Sequence, residues 1–349
     1  MTQRNQSLDL LRGVAILLVI AVHSQEEAVG SIPVLTWFAK TCGELGVQLF
    51  FIVSGYTMML TYGGRLDLAA ARSFYIRRVF RIAPLFWVAI VFYLLLTRGQ
   101  GIKTFAPDGI GPVDVLLTFL FLHGNSVTAY NSVVPGGWSI AVEMQFYLLF
   151  PLLIALFRRS NGPMLCYALI ALISVIGQFA ADNYLIPNLA ASLPPGQKPL
   201  AEGIFYCWLP HQLICFGFGI LLYDYIELKS HPTWGALFLF GAALSSAWGA
   251  EVALLAVFAF AVLASNVTMP AMALFGRHSY AIYLIHFAVL SAMTAIVPTN
   301  LVLLFVTVAA ISLAFSYYLI EPFIERRFNR MGHALASEAA APKAAATAA

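Results

Sequence analysis

Apolar residues in this chain fall into repeated stretches of roughly 17–25 residues, the length that crosses about 30 Å of hydrocarbon as a helix. Ten such spans are placed at residues 8–25, 45–61, 79–97, 138–157, 163–181, 207–223, 233–248, 251–264, 279–297 and 301–320. A further apolar piece, 113–122, is too short to cross and reads as interfacial or re-entrant. Composition agrees: 61% of residues are hydrophobic and 10% charged, against about 45–50% and about 25% in soluble domains. The expected fold is an all-α polytopic membrane bundle of about ten transmembrane helices. One transmembrane domain covers 1–330, and an Ala-rich cytoplasmic tail, 331–349, is expected to be disordered.

Orientation follows from Lys and Arg, which concentrate in cytoplasmic loops. With the N-terminus inside, fourteen fall on inner segments (Arg4, Arg65, Arg72, Arg77, Arg78, Arg81, Arg158, Arg159, Lys229, Arg277, Arg326, Arg327, Arg330 and Lys343) and four on outer ones (Lys40, Arg98, Lys103 and Lys198). Both termini are therefore expected in the cytoplasm. The net charge of +3 reflects topology, not a nucleic-acid partner. The first span lacks a small-residue cleavage site after His23, so it reads as a span rather than a signal peptide. Cys42, Cys166, Cys207 and Cys215 form no CxxC pair and read as small apolar residues. No metal site is expected.

The informative residues are those that are costly in lipid. Arg12 and His23 are eleven residues apart in the first span, so they share a helix face and stand about 16 Å apart along it. Each has a blander reading: Arg12 snorkelling to the inner headgroups and His23 sitting at the outer interface. In the fourth span Ser139, Glu143 and Tyr147 recur every four residues as one polar stripe. Glu143 lies about 8 Å from the outer start of that span, which places it in the outer half with His23. In the ninth span Ser279, Tyr283 and His286 share a face. A carboxylate bonded to a neighbouring helix and a packing histidine are the bland alternatives. On the cytoplasmic side Arg78 and Arg81 are i, i+3 neighbours that can converge on one anion, and guanidinium forks suit phosphates. The positive-inside rule alone also accounts for arginines there.

These segments resemble the acyltransferase 3 family of bacterial membrane O-acyltransferases. LDLLRGVAILLVIAVH carries the Arg-x10-His spacing of Arg12 and His23, and GVQLFFIVSGY carries Ser54, Gly55 and Tyr56. FYIRRVFRIAP supplies Arg78, Arg81 and Pro84, and GGWSIAVEMQFYLLFP supplies Trp138, Ser139 and Glu143. HSYAIYLIHF followed by IEPFIERRF matches the usual end, so the resemblance runs from Leu8 to about Phe328. It implies transfer of an acyl group, most often acetyl, from cytoplasmic acyl-CoA to a hydroxyl of an exported or lipid-linked glycan. It also implies a multi-pass protein of the bacterial inner membrane. Acyl-CoA is then a substrate, and no permanently bound cofactor is implied. Without the extracytoplasmic hydrolase-like domain that some members carry, the chain is expected to complete the transfer or to hand on to a separate glycan-assembly partner.

A mechanism compatible with the residues puts the CoA phosphates at Arg78 and Arg81 with Arg12, and threads the thioester arm outward along the first helix. His23 then removes a proton from the acceptor hydroxyl, and Glu143 orients His23 or holds its charge. The family motif favours His23 over His286 as base; spacing alone does not decide it. Ser54, Tyr56, Trp138, Ser139, Tyr147, Tyr283 and His286 are the expected substrate-binding residues. The outer loop 182–206, with four prolines, is expected to shape acceptor access. A secondary transporter of a small polar or anionic solute is the main rival, but the paired, broken helices of two related halves are not found. A non-catalytic scaffold would not need His23, Glu143 and His286 in lipid.

Overall fold

The computed structural model describes residues 6–30, 32–62, 67–245, 249–296 and 299–340. Arg4, Arg65 and Lys343 of the charge pattern, and the last residues of the spans ending at 248 and 297, lie outside the described residues. The helices in the first half are α1 (Gln6–Glu27), α2 (Pro33–Gly43), α3 (Gly46–Tyr62), α4 (Leu68–Leu96), α5 (Pro112–Phe119), α6 (Gly137–Phe157) and α7 (Gly162–Ala180). The second half holds α8 (Ile186–Ser192), α9 (Pro199–Tyr206), α10 (Leu209–Ile226), α11 (Thr233–Leu244) and α12 (Gly249–Ala264). The last are α13 (Pro270–Arg277), α14 (Ser279–Ile296), α15 (Leu301–Phe315) and α16 (Arg326–Ala340). No strand occurs among the described residues. The fold is an all-α polytopic membrane bundle, as hydrocarbon requires of a chain that must satisfy its own backbone polar groups.

Each predicted span contains a helix. Among the described residues, eight helical stretches are long and apolar enough to cross a bilayer, and α11 and α12, with 12 and 16 residues, are shorter. Large apolar side chains such as Val91 and Leu95 on α4, Leu148 and Leu152 on α6, and Leu172 and Ile176 on α7 face outward.

Two helix pairs approach through reciprocal glycines. A Cβ on Gly13 of α1 would sit 2.0 Å from the Met272 carbonyl oxygen, and one on Gly276 of α13 would sit 1.7 Å from that of Asp9. On α3 and α10, Gly55 and Gly219 face the carbonyl oxygens of Phe216 and Ile52 at 2.3 and 2.1 Å in the same sense. Small residues let backbones pack this closely in lipid, where no hydrophobic force draws helices together. Gly276→Ala and Gly219→Ala must therefore push backbone aside, at about 1–3 kcal/mol each. Gly241→Ala, with nothing within 4 Å, should be neutral or gain up to about 1 kcal/mol from helix propensity. Thermal denaturation of the three variants in one detergent checks this; equal midpoints would show that the close contacts carry no stability.

The predicted short apolar piece is α5, an eight-residue helix. It runs back along α4: the Trp87 indole donates to the Phe119 carbonyl at 3.0 Å, and the two rings stack at 4.7 Å. Phe121 and His123 then stack on Phe86, ten residues short of the end of α4. Non-helical backbone is tolerated at such depth only where protein surrounds it, and Ala129, Tyr130, Ser132, Val133 and Val134 are all buried. His123 donates from Nε2 to the Gly137 carbonyl at 2.9 Å. Gly136, at φ +74°, turns the chain into α6. The segment 182–206 adds α8 and α9, and Leu200, Ile204 and Cys207 close over Tyr130 in a second small core. This folded-back piece matters for the site, because α6 starts beside Phe86, part-way along α4, instead of at its end.

Of the expected tail, residues 341–349 lie outside the described residues, and residues 331–340 depart from expectation. Residues 331–340 are not disordered but continue α16. Alanine is the strongest helix former, and the helix docks on α4, with Gly332 against Phe80 and Ala336 buried.

Candidate functional site

One cavity of about 80 Å³ lies inside the bundle, lined from α1, α3, α4, α6 and α14. Its charged lining is Arg12, Arg78, Arg81 and Glu143, and its polar lining includes Ser54, Thr57, Ser139, Tyr147, Ser279, Tyr280 and Tyr283. Three cations against one carboxylate favour an anion there. Residues far apart in sequence thus converge as their types suggested.

Arg12 is held by Asp9 one turn below, at 3.4 Å, and donates to the Thr57 hydroxyl at 2.8 Å. Arg277 approaches the other Asp9 oxygen at 3.8 Å. Arg78 is buried, donates to the Thr61 hydroxyl at 2.5 Å and lies over the rings of Phe74 and Tyr147. Its Nε has no hydrogen-bond partner, so one donor remains unspent inside the protein. Arg81 is exposed at the cavity edge and makes no hydrogen bond among the described residues. Glu143 accepts from Ser54 at 2.8 Å and from the Tyr147 hydroxyl. Ser139 donates to the Tyr283 hydroxyl at 2.8 Å, and Tyr283 donates to the Gly136 carbonyl at 2.9 Å.

Glu143 and His23 are not partners. Because α6 starts beside Phe86, its first two turns reach the level of Arg78 and Arg81, and Glu143 shares a cavity with those arginines instead of lying beside His23. The carboxylate beside His23 is Glu26, 2.9 Å from Nδ1 on the same helix. His23 does not line the cavity. Its ring lies 5.5 Å from that of His286 and 4.4 Å from that of Phe287. Above Arg12, α1 packs closely on α3: Gly46, next to the lining residue Val47, lies against Ala15 and Val19. Val19 is one helical turn, about 6 Å, below His23. Tyr283 stands between, lining the cavity with its ring 5.7 Å from His286.

Three expected substrate contacts fall elsewhere. Tyr56 is buried and donates to Glu227 at 2.6 Å. Trp138 packs edge-on against Phe51 and Tyr206. His286 is wholly buried behind Tyr283. Sequence reasoning missed Thr57, Thr61, Tyr280 and Glu26. Two had a readable signal: Ser54, Thr57 and Thr61 form an i, i+3, i+7 stripe on α3, and Glu26 is i+3 from His23.

A family model described as an acyltransferase domain, acyltransferase 3, matches residues 5–321. Peptidoglycan O-acetyltransferase OatA of Listeria monocytogenes is 30% identical over 44% of this chain and 24% of its own length. Acyltransferase MdmB of Streptomyces mycarofaciens is 31% identical over 63% of this chain and 57% of its own. O-acetyltransferase OatA of Staphylococcus aureus is 22% identical over 92% of this chain and 57% of its own. The chain thus spans between about a quarter and somewhat over half the length of these relatives. No solved structure matches it significantly. With nearly its whole length matched and the motif arginines gathered around one cavity, the chain belongs to the acyltransferase 3 family.

Proposed function

We propose that this protein is an O-acyltransferase of the bacterial inner membrane. It moves an acyl group, acetyl in the first instance, from cytoplasmic acyl-CoA to a hydroxyl of an exported or lipid-linked carbohydrate. The observation that carries this reading is the cavity itself: Arg12, Arg78 and Arg81 line one space inside the bundle together with Ser54, Glu143 and Tyr283, and His23 lies about 16 Å along α1 from Arg12. Relatives named as O-acetyltransferases, the Listeria one as a peptidoglycan O-acetyltransferase, point to a sugar hydroxyl as acceptor.

CoA phosphates dock at Arg81 and at the unspent donor of Arg78, where charge-assisted hydrogen bonds are strong. The thioester arm extends past Ser54 and Phe50 toward Tyr283. Glu26 accepts from Nδ1–H of His23 and leaves Nε2 as the base. The acceptor O–H bond breaks as its proton passes to Nε2, and the oxygen attacks the thioester carbonyl carbon. The C–S bond then breaks, the ester forms, and the departing thiolate takes the proton back from His23. Glu143, bonded to Ser54 and Tyr147, balances the arginines and fixes the cavity wall. A separate glycan-assembly partner would serve only to deliver or remove the acceptor.

The test uses inside-out vesicles of the host membrane, which carry the native acceptor, from a strain lacking this gene and from one expressing it. With labelled acetyl-CoA outside the vesicles, label should enter the glycan or lipid-linked fraction, with one free CoA thiol per label, only when the protein is present. No gene-dependent consumption of acetyl-CoA or other short acyl-CoAs would sink the enzyme reading and revive the transporter.

A further inference from the structure

One buried polar group lies outside the cavity yet beside the proposed base. His286 on α14 is 0% exposed. Its Nδ1 lies 2.7 Å from the Tyr283 carbonyl oxygen. A carbonyl only accepts, so Nδ1 carries the hydrogen, and in the neutral ring Nε2 is left as an acceptor. That Nε2 is buried and has no hydrogen-bond partner. Leaving such an atom unpaired costs stability, and native proteins rarely do so without a reason. The polar ring beside it is His23, with centroids 5.5 Å apart and planes tilted by 32°. In the structure the two rings are not hydrogen-bonded, but at that separation a rotation that points their nitrogens at each other leaves about 3 Å between them, within hydrogen-bond reach. Phe287 packs against both rings, at 4.4 and 4.2 Å.

In the resting protein, Glu26 occupies Nδ1 of His23. Nε2 of His23 and Nε2 of His286 are then both acceptors, on rings whose centroids are 5.5 Å apart, with no hydrogen to share. That situation changes only when His23 takes up a proton. We propose that His286 is a positioning residue: its bare Nε2 accepts the N–H that His23 gains from the acceptor hydroxyl, and so steadies the charged ring until the thiolate reclaims the proton. The inference rests on reading His23 as the base. It assigns His286 no contact with either substrate, in keeping with its burial behind Tyr283.

Two near-isosteric variants separate this role from a packing role. His286→Asn keeps an N–H close to where Nδ1 bonds Tyr283, but lacks the far nitrogen. His286→Gln places an amide near the position of Nε2 and gives up the Tyr283 bond. Single-turnover transfer from labelled acetyl-CoA is measured in inside-out host vesicles at matched expression. Acetyl-CoA binding by each purified variant serves as the folding control. His286→Asn should lower the transfer rate about 10–100-fold, the effect of one lost hydrogen bond to a charged group. The acetyl-CoA KM should stay unchanged, and His286→Gln should recover part of the rate. In a His23→Ala background, His286→Asn should cost nothing further, because the residue it acts through is gone.

Wild-type rates in His286→Asn would show that the Tyr283 bond is all that matters. A raised KM with an unchanged rate would make His286 a substrate contact. Losses that multiply in the double variant would show that it acts apart from His23. Each of these overturns the proposal while leaving the acyltransferase reading intact. If His23→Ala alone transfers at the wild-type rate, the base assignment fails first, and the His286 proposal falls with it.

Discussion

Replacing Arg78 and Arg81 together with alanine lowers acetyl-CoA affinity by about 10²–10⁴-fold, the loss of two hydrogen bonds to charged groups, and leaves the protein inserted in the membrane. The two arginines enter differently. Arg78 is buried against Thr61, Phe74 and Tyr147 with its Nε unpaired. Arg81 is exposed at the cavity edge. The first supplies a donor already stripped of water, and the second supplies reach. Removing Arg78 also leaves Glu143 with less positive charge beside it, so its single variant should be the more damaging. Lysine at either position restores charge but not the planar fork, and rescue should be partial. Calorimetric titration of purified variants with acetyl-CoA, beside a membrane-fraction blot, reads both halves of the expectation. Undiminished affinity in the double variant would mean that these arginines serve topology alone.

The cavity explains how far the site could be read in advance. Arg12, Arg78, Arg81, Ser139, Glu143, Tyr147 and Tyr283 stood out as polar or ionisable residues in or beside apolar stretches, Ser54 came from the motif resemblance alone, and all eight line one space. The helices were legible for the same reason: hydrocarbon leaves the chain few options. What the spacing did not carry was depth. Counting from the first residue of a span assumes that the span starts at a surface, and α6 starts beside Phe86 because the segment before it folds back into the bundle. That single displacement moves Glu143 from His23 to the arginines. The folding back is a tertiary event, built from Trp87, Phe86 and a turn at Gly136, and no local pattern announces it. Residues 331–340 of the tail were misread for the opposite reason. Their alanines look featureless by hydropathy, yet they favour a helix, and α4 offers it a face.

His23→Ala should keep acetyl-CoA affinity and lose transfer by about 10²–10⁴-fold, the usual effect of removing a general base. The separation of effects follows from position. His23 is outside the cavity, about 16 Å along α1 from Arg12, whereas the donor groups are grouped around Arg12, Arg78 and Arg81. Arg12→Ala should show the reverse: weaker acetyl-CoA binding, and poorer assembly as well, since Asp9 loses the arginine one turn above it. Glu26→Gln is a milder change. The Glu26 side chain is 58% exposed, and a solvent-exposed pair contributes little, so transfer should fall by less than about fivefold. If His23 instead carries the acyl group covalently, its removal should cost more than loss of a base, and wild-type protein given labelled acetyl-CoA without acceptor should retain label after denaturation. CoA binding and single-turnover transfer, measured side by side at matched expression, distinguish these outcomes. A His23→Ala protein that acylates its glycan at the wild-type rate would take His23 out of the mechanism. The base would then have to be sought at the cavity itself, where Glu143 is the one carboxylate in the lining.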